Sequence, residues 1–240
     1  MSILTRDEWL ASPVGRYLLD REQALFDQAV GDLFGFNAVQ LTLPQADMLR
    51  NSRIPFLCLA DLTRGDVNCQ PHQMPFLTGS IDLLVMPHGL DFSQNPHETL
   101  REAERVLVPE GHVVITGFNP LSSWGIKRSI RRRHGFPWYG SFLPMLRIKD
   151  WLALLGFEIV ECRMTCYAPP FNNAKWLHRF NFLDRLGNLW WPMGGGVYFI
   201  VAKKRVVGMR LIKPGWKKPK LKSRLVATPT QKTDSKGNNE

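Results

Sequence analysis

The sequence predicts an α/β protein: a mostly parallel sheet with helices on both faces. Three observations carry this. Short apolar runs alternate with amphipathic stretches as far as residue 167. The runs IDLLVM (81–86) and VVITGF (113–118) are almost wholly apolar, as central strands buried on both faces are. The last two extended segments, 157–167 and 197–206, are joined by a long connection that contains an amphipathic stretch.

Each element has its own local signal. Thr5-x-x-Glu8 is a capping-box pattern, and Ser12-Pro13 is a cap with proline at the first helical position. Leu18, Leu25, Ala29, Val30 and Leu33 then recur at helical spacing, which predicts one or two helices before Gly35. NAVQLTL (37–43) and IPFLCLAD (54–61) read as strands, with a polar stretch of helical potential, QADMLRNS, between them. A third extended piece is expected near Asp66–Gln70, and the run 81–86 follows it. Asn95-Pro96-His97-Glu98 predicts a helix start, with Leu100, Ala103, Val106 and Leu107 as its apolar stripe. Pro109-Glu110-Gly111 predicts a tight reversal before a strand over 112–118. Helices are expected over 122–133, 148–155 and 175–188, and strands over 157–167 and 197–206. From about Pro214 the chain is rich in Lys and Pro and then polar, a composition that predicts disorder. The expected organisation is therefore an N-terminal helical segment (1–35), a sheet domain (36–206) and a basic tail (207–240).

The chain has 240 residues, enough for one large α/β domain without staples. Its four cysteines suggest free thiols in a reducing compartment, and a cytoplasmic location is expected. Charges interrupt MSILTRDEWLASP, so no signal peptide is expected, and no apolar run is long enough to span a membrane. The net charge of +10 is unevenly placed. From Lys203 onward there are 12 Lys or Arg and 2 Asp or Glu, which leaves 19 of each sign before it. The high pI of 9.7 thus describes the tail. Such a tail suggests a polyanionic partner, either RNA or an anionic membrane surface. KRSIRRRH (127–134) adds five basic side chains and no acid, and reads either as a solvated helix face or as an anion site.

Candidate site residues follow from the strand ends. In an open α/β sheet, ligands bind outside the carboxyl ends of the strands. The run 81–86 ends in Pro87-His88-Gly89, which places His88 either at the rim of a pocket or as a strand-end polar group bonded to backbone. Asp61, closing the strand LCLAD, is a similar candidate or else caps the turn at Thr63. Cys69 with His72, and Cys162 with Cys166, have ligand-like spacing, but neither has a second pair, so no metal is expected. Aromatic residues gather at 124–142 and 171–191, which favours an apolar or aromatic substrate over a small polar one. No Ser-His-Asp, paired-carboxylate or phosphate-loop pattern is present.

Met74-Pro75-Phe76, Gly79-Ser80-Ile81-Asp82, the helix segment Glu102–Arg105 and Val106-Leu107-Val108-Pro109-Glu110-Gly111 follow one another at fixed spacing. This succession resembles the type 11 group of class I S-adenosylmethionine-dependent methyltransferases, over roughly residues 36–205 by element order. The resemblance implies a Rossmann-like fold: a seven-stranded sheet, mostly parallel, with an antiparallel edge hairpin formed by 157–167 and 197–206. It implies S-adenosylmethionine as cofactor and an unknown methyl acceptor as second substrate. It also implies cofactor contacts from Thr42 in the loop after the first strand, Asp61 at the ribose, Gln70 near the adenine, Met74, and His88 facing the sulfonium and substrate. The loop departs from the family pattern. Thr42-Leu43-Pro44-Gln45-Ala46-Asp47 contains no glycine, and Gln40 stands where the family carries an acid. The functional expectation is a methyltransferase; the alternative is a non-catalytic binding or regulatory module on the same fold.

Overall fold

The computed structural model describes residues 5–130, 135–180 and 193–205. The chain divides into Met1–Val206 and Val207–Glu240, and the second unit lies outside the described residues. Helices α1 (Arg6–Ala11) and α2 (Pro13–Gly31) come first, followed by strands β1 (Asn37–Leu41), β2 (Phe56–Asp61), β3 (Val67–Asn68) and β4 (Ile81–Pro87). Then come α3 (Pro96–Val106), β5 (Leu107–Phe118), α4 (Ser123–Ile130), α5 (Met145–Leu154), β6 (Phe157–Thr165), α6 (Ala174–Arg179) and β7 (Val197–Lys204). The seven strands form one sheet in the order β3-β2-β1-β4-β5-β7-β6. All pairs are parallel except the two made by β7, which lies antiparallel between β5 and β6. The predicted sheet, including its antiparallel end, is the observed one.

Period-two alternation divides the core. Ala38, Leu83, Val85, Val114, Phe199 and Val201 point to one face, against Trp9, Leu18, Phe26 and Val30 of α1 and α2 and Trp124 of α4. Val39, Leu84, Ile115, Tyr198 and Ile200 point to the other, against Leu100 and Ala103 of α3 and Ile148 and Leu152 of α5. β4 is buried along almost its whole length, as its apolar run requires of a central strand. Gly117 of β5 is needed where it stands: a Cβ there would fall 2.1 Å from the Tyr198 hydroxyl.

The capping box forms, with Thr5 and Glu8 exchanging side-chain and backbone hydrogen bonds, and the Ser12 hydroxyl accepts from the Gly15 amide. Several boundaries differ from expectation. Residues 45–52 form turns rather than a helix. Asn95 makes no side-chain cap; Ser93 and Thr99 share a buried hydroxyl contact of 2.8 Å there instead. Pro109-Glu110-Gly111 is not a turn between elements. Leu107 already pairs with Ile81, the chain bulges with Glu110 at φ 66°, and pairing resumes at Leu83 and His112. β2 and β3 pair in parallel across only five residues, without a helix between them. α4 is described to Ile130, and the basic residues 131–134 lie outside the described residues, as do 181–192 and the tail.

Candidate functional site

A cavity of about 280 Å³ opens at the carboxyl ends of β1, β2 and β4. Thr42 and Leu43 after β1, Asp61–Thr63 at the end of β2 and Pro87–Gly89 at the end of β4 form its floor and one wall. Arg6 of α1 and the aromatic residues Phe92, Phe136 and Tyr139 complete the lining. Of the predicted site residues, Thr42, Asp61 and His88 are brought together here. Gln70 and Met74 are not among the lining residues. Gln70 is exposed and bridged to Gln73. Met74 is buried in the core on the α3 side, because Arg105 of α3 binds its carbonyl at 2.9 Å and that of Phe76 at 2.9 Å, while Glu102 accepts its amide. The arginine-bearing helix thus moors the 74–76 segment to the domain.

The loop after β1 holds a conformation usually left to glycine. Thr42 and Leu43 both have positive φ, 73° and 54°. A β-branched residue in this region costs of order 1–3 kcal/mol and needs compensating contacts. The Thr42 amide donates to Ala60 O and its hydroxyl to Pro87 O, both at 2.8 Å, which ties the loop to β2 and β4. Gln40 supplies the rest. Its side-chain NH2 donates to the carbonyls of Thr42, Leu43 and Ala46 at 3.3, 3.1 and 2.7 Å, and its oxygen accepts the Met48 amide at 2.8 Å. Only an amide can donate and accept in this way at neutral pH, so Gln40 belongs to the loop's framework.

Asp61 is divided between two tasks. Its Oδ2 accepts from the Thr63 amide, the Thr63 hydroxyl and the Arg64 amide, and its Oδ1 has no hydrogen-bond partner among the described residues. Burial pushes its carboxyl up, but those hydrogen bonds and Arg6 outweigh burial, and the net direction is down. Asp61 is therefore an anion that both caps the turn and faces the cavity. Cys69 also lines the cavity, but burial pushes its thiol up to about 11, so it stays protonated.

His88 departs most from a rim residue. It is only 2% exposed, has φ 55°, and stacks on Phe118 with ring centroids 4.0 Å apart. Its Nδ1 lies 2.9 Å from Asp91 Oδ2, and its Nε2 lies 2.9 Å from Glu22 Oε1 of α2, a contact without hydrogen-bond geometry. Burial alone would lower the imidazole, but the two carboxylates override it and push His88 up to about 10. It is a buried imidazolium between two acids, closing the cavity floor. Sequence reasoning missed both acids. The Leu18, Glu22, Phe26, Val30 spacing was the available signal, because it puts a carboxylate on an otherwise apolar helix stripe.

Residues 23–115 match the family model described as a methyltransferase domain. Over that segment the chain is similar to the methyltransferase-domain family. A relative, the uncharacterised protein YafS of Escherichia coli, is 33% identical over 165 residues, 68% of this chain. The match spans 65% of that relative's length. Among solved structures, a SAM-dependent methyltransferase of Thermotoga maritima, described as a possible histamine N-methyltransferase, superposes with a TM-score of 0.57. It is 16% identical over 79% of this chain and 93% of that one. A phosphoethanolamine N-methyltransferase of Haemonchus contortus, in complex with phosphomonomethylethanolamine and S-adenosylhomocysteine, gives a TM-score of 0.52 at 12% identity. That likeness covers 78% of this chain and 53% of the other. These likenesses establish the class I methyltransferase fold, and the strand-end cavity lies where such a fold holds ligands.

Proposed function

We propose that the domain binds S-adenosylmethionine in the strand-end cavity and transfers its methyl group to a nucleophilic atom of a second substrate. The observation that carries this is Asp61: a buried carboxylate at the end of β2 that lines the cavity, with one oxygen fixed by the turn and the other without a hydrogen-bond partner among the described residues. That oxygen suits the paired hydroxyls of a ribose. The backbone around Thr42 and Leu43 supports the same reading, since it keeps a glycine-like course without glycine. The cofactor supplies an electrophilic methyl group when bound. The chain's own part is to anchor the ribose at Asp61, to exclude water with Phe92, Phe136 and Tyr139, and to hold the loop rigid through Gln40.

Calorimetric titration with S-adenosylmethionine and S-adenosylhomocysteine tests this. Asp61→Asn preserves an acceptor for the Thr63 amide but removes the charge, and it should weaken cofactor binding about tenfold to a hundredfold, or about 1.5–3 kcal/mol. Unchanged affinity would remove Asp61 from the site. The second reading, a non-catalytic module, is favoured by Arg6 standing 3.6 Å from Asp61 across the same cavity. Absence of heat at millimolar cofactor, with the protein folded, would select it.

The tail supports a separate proposal, contact with a polyanion, either RNA or an anionic membrane surface. Among the described residues no helix is long and apolar enough to cross a membrane, and a cytoplasmic setting is proposed with it. Full-length protein should bind RNA or anionic vesicles with affinity that falls steeply with salt. A full-length variant with Lys217, Lys218, Lys220 and Lys222 changed to glutamine should lose most of that dependence. Equal salt slopes for the two proteins would exclude the tail.

A further inference from the structure

Arg6 is the one Lys or Arg among the described residues that line the cavity. Its guanidinium meets Asp61 Oδ2 at 3.6 Å, which is an ion pair but not a hydrogen bond. That oxygen already accepts from three donors of Thr63 and Arg64, so it has little capacity left for Arg6. None of Arg6's own donors finds a hydrogen-bond acceptor among the described residues, although its side chain is about two-thirds buried. The helix beneath it is fixed. Trp9 is buried against Phe136 and Trp124, with centroids at 5.4 and 6.3 Å, and Asp7 reaches Arg64 at 3.2 Å and the Gln45 amide at 2.6 Å. The cavity therefore holds a positioned, weakly committed guanidinium beside packed rings: the Phe92 centroid lies 4.9 Å from that of Phe136, stacked, and 5.2 Å from that of Tyr139, tilted.

We propose that Arg6 binds the acidic group of the methyl acceptor, and that the acceptor carries this group on an aromatic or apolar body. This rests on the cofactor reading above, because ribose hydroxyls donating to the free oxygen of Asp61 would spread the carboxylate's charge over more donors and loosen its hold on Arg6, leaving the fork for a carboxylate or phosphate. The two ligands should then bind with positive coupling, since the first weakens the ion pair that competes with the second.

Full-length protein titrated with benzoate, and with benzamide as its neutral counterpart, tests the proposal. In wild type, saturating S-adenosylhomocysteine should tighten benzoate binding at least fivefold. Asp61→Asn should give a similar gain without S-adenosylhomocysteine, because Arg6 is free from the start. Arg6→Gln should lose both gains, and benzamide should show neither. Equal benzoate affinity in wild type and Arg6→Gln overturns the proposal. So does weaker S-adenosylhomocysteine binding by Arg6→Gln, which would assign the guanidinium to the cofactor's own carboxylate. A gain in Asp61→Asn from a protein that never binds S-adenosylhomocysteine would keep the anion site and reject the cofactor reading. Thermal melts of both variants establish that each is folded.

Discussion

Replacing His88 with alanine is expected to lower the unfolding free energy by about 3–5 kcal/mol, the range for removing one partner of a buried charge cluster. Glu22 and Asp91 would be left facing each other with no cation between them, in a region essentially closed to water. Loss of the ring's stack on Phe118 adds to the cost. Urea denaturation at neutral pH measures the effect, and a loss below about 1 kcal/mol would mean that the carboxylates are hydrated. The pH profile offers an independent reading. The imidazole holds its proton to about pH 10 in the folded protein and to about 6.5 when unfolded. Its contribution is therefore complete below pH 6.5 and declines as pH rises, by up to about 1.4 kcal/mol per unit, until it is lost near 10. Asp91 acts in a different window. Burial raises its carboxyl, against the pull of His88 and the Phe118 amide, so its cost appears as pH climbs past the ordinary carboxylate range. The alkaline slope should be absent from the alanine variant.

Gln40→Glu is expected to be the next most damaging change, at about 3 kcal/mol or more near neutral pH, from buried acceptors left without donors. A carboxylate would set a negative oxygen against the carbonyls of Thr42, Leu43 and Ala46, where an NH2 group now serves all three. The substitution introduces the acid that the resemblance to the methyltransferase family implies at this position. Protonation would return one donor. The new carboxyl should therefore titrate above its unfolded value, and the deficit against wild type should shrink as pH falls toward 4. Thermal melts from pH 4 to 8 follow it. A pH-independent deficit would point to lost packing rather than to facing acceptors.

The sheet was legible because its signals are local. The apolar run of β4, the capping box at Thr5 and Glu8 and the proline at the start of α3 each depend on neighbours a few residues away. The position of Asp61 and Thr42 at the cavity was legible from their place at strand ends. Gln70 and Met74 were misplaced because a five-residue link replaces the usual helix after β2, which shifts the following segment onto the core and the surface. The pairing of His88 with Glu22 went unread for a different reason. Glu22 lies 66 residues away in sequence, and no local pattern reports which helix stripe will cover which strand end. Arg6 and Gln40 escaped in the same way, since a capping-box helix and a strand polar residue have ordinary local meanings.

Descent and burial draw different borders on this chain. Similarity to the family begins at residue 23, one position after Glu22. One of the two buried counter-charges of His88, Glu22, and the α1 helix that carries Arg6 over the cavity both lie upstream of that line. What the family profile treats as a preface supplies an electrostatic keystone. Two lineages with the same sheet and different leading helices would therefore differ in the ionisation of the cavity floor, with every residue inside the shared region unchanged.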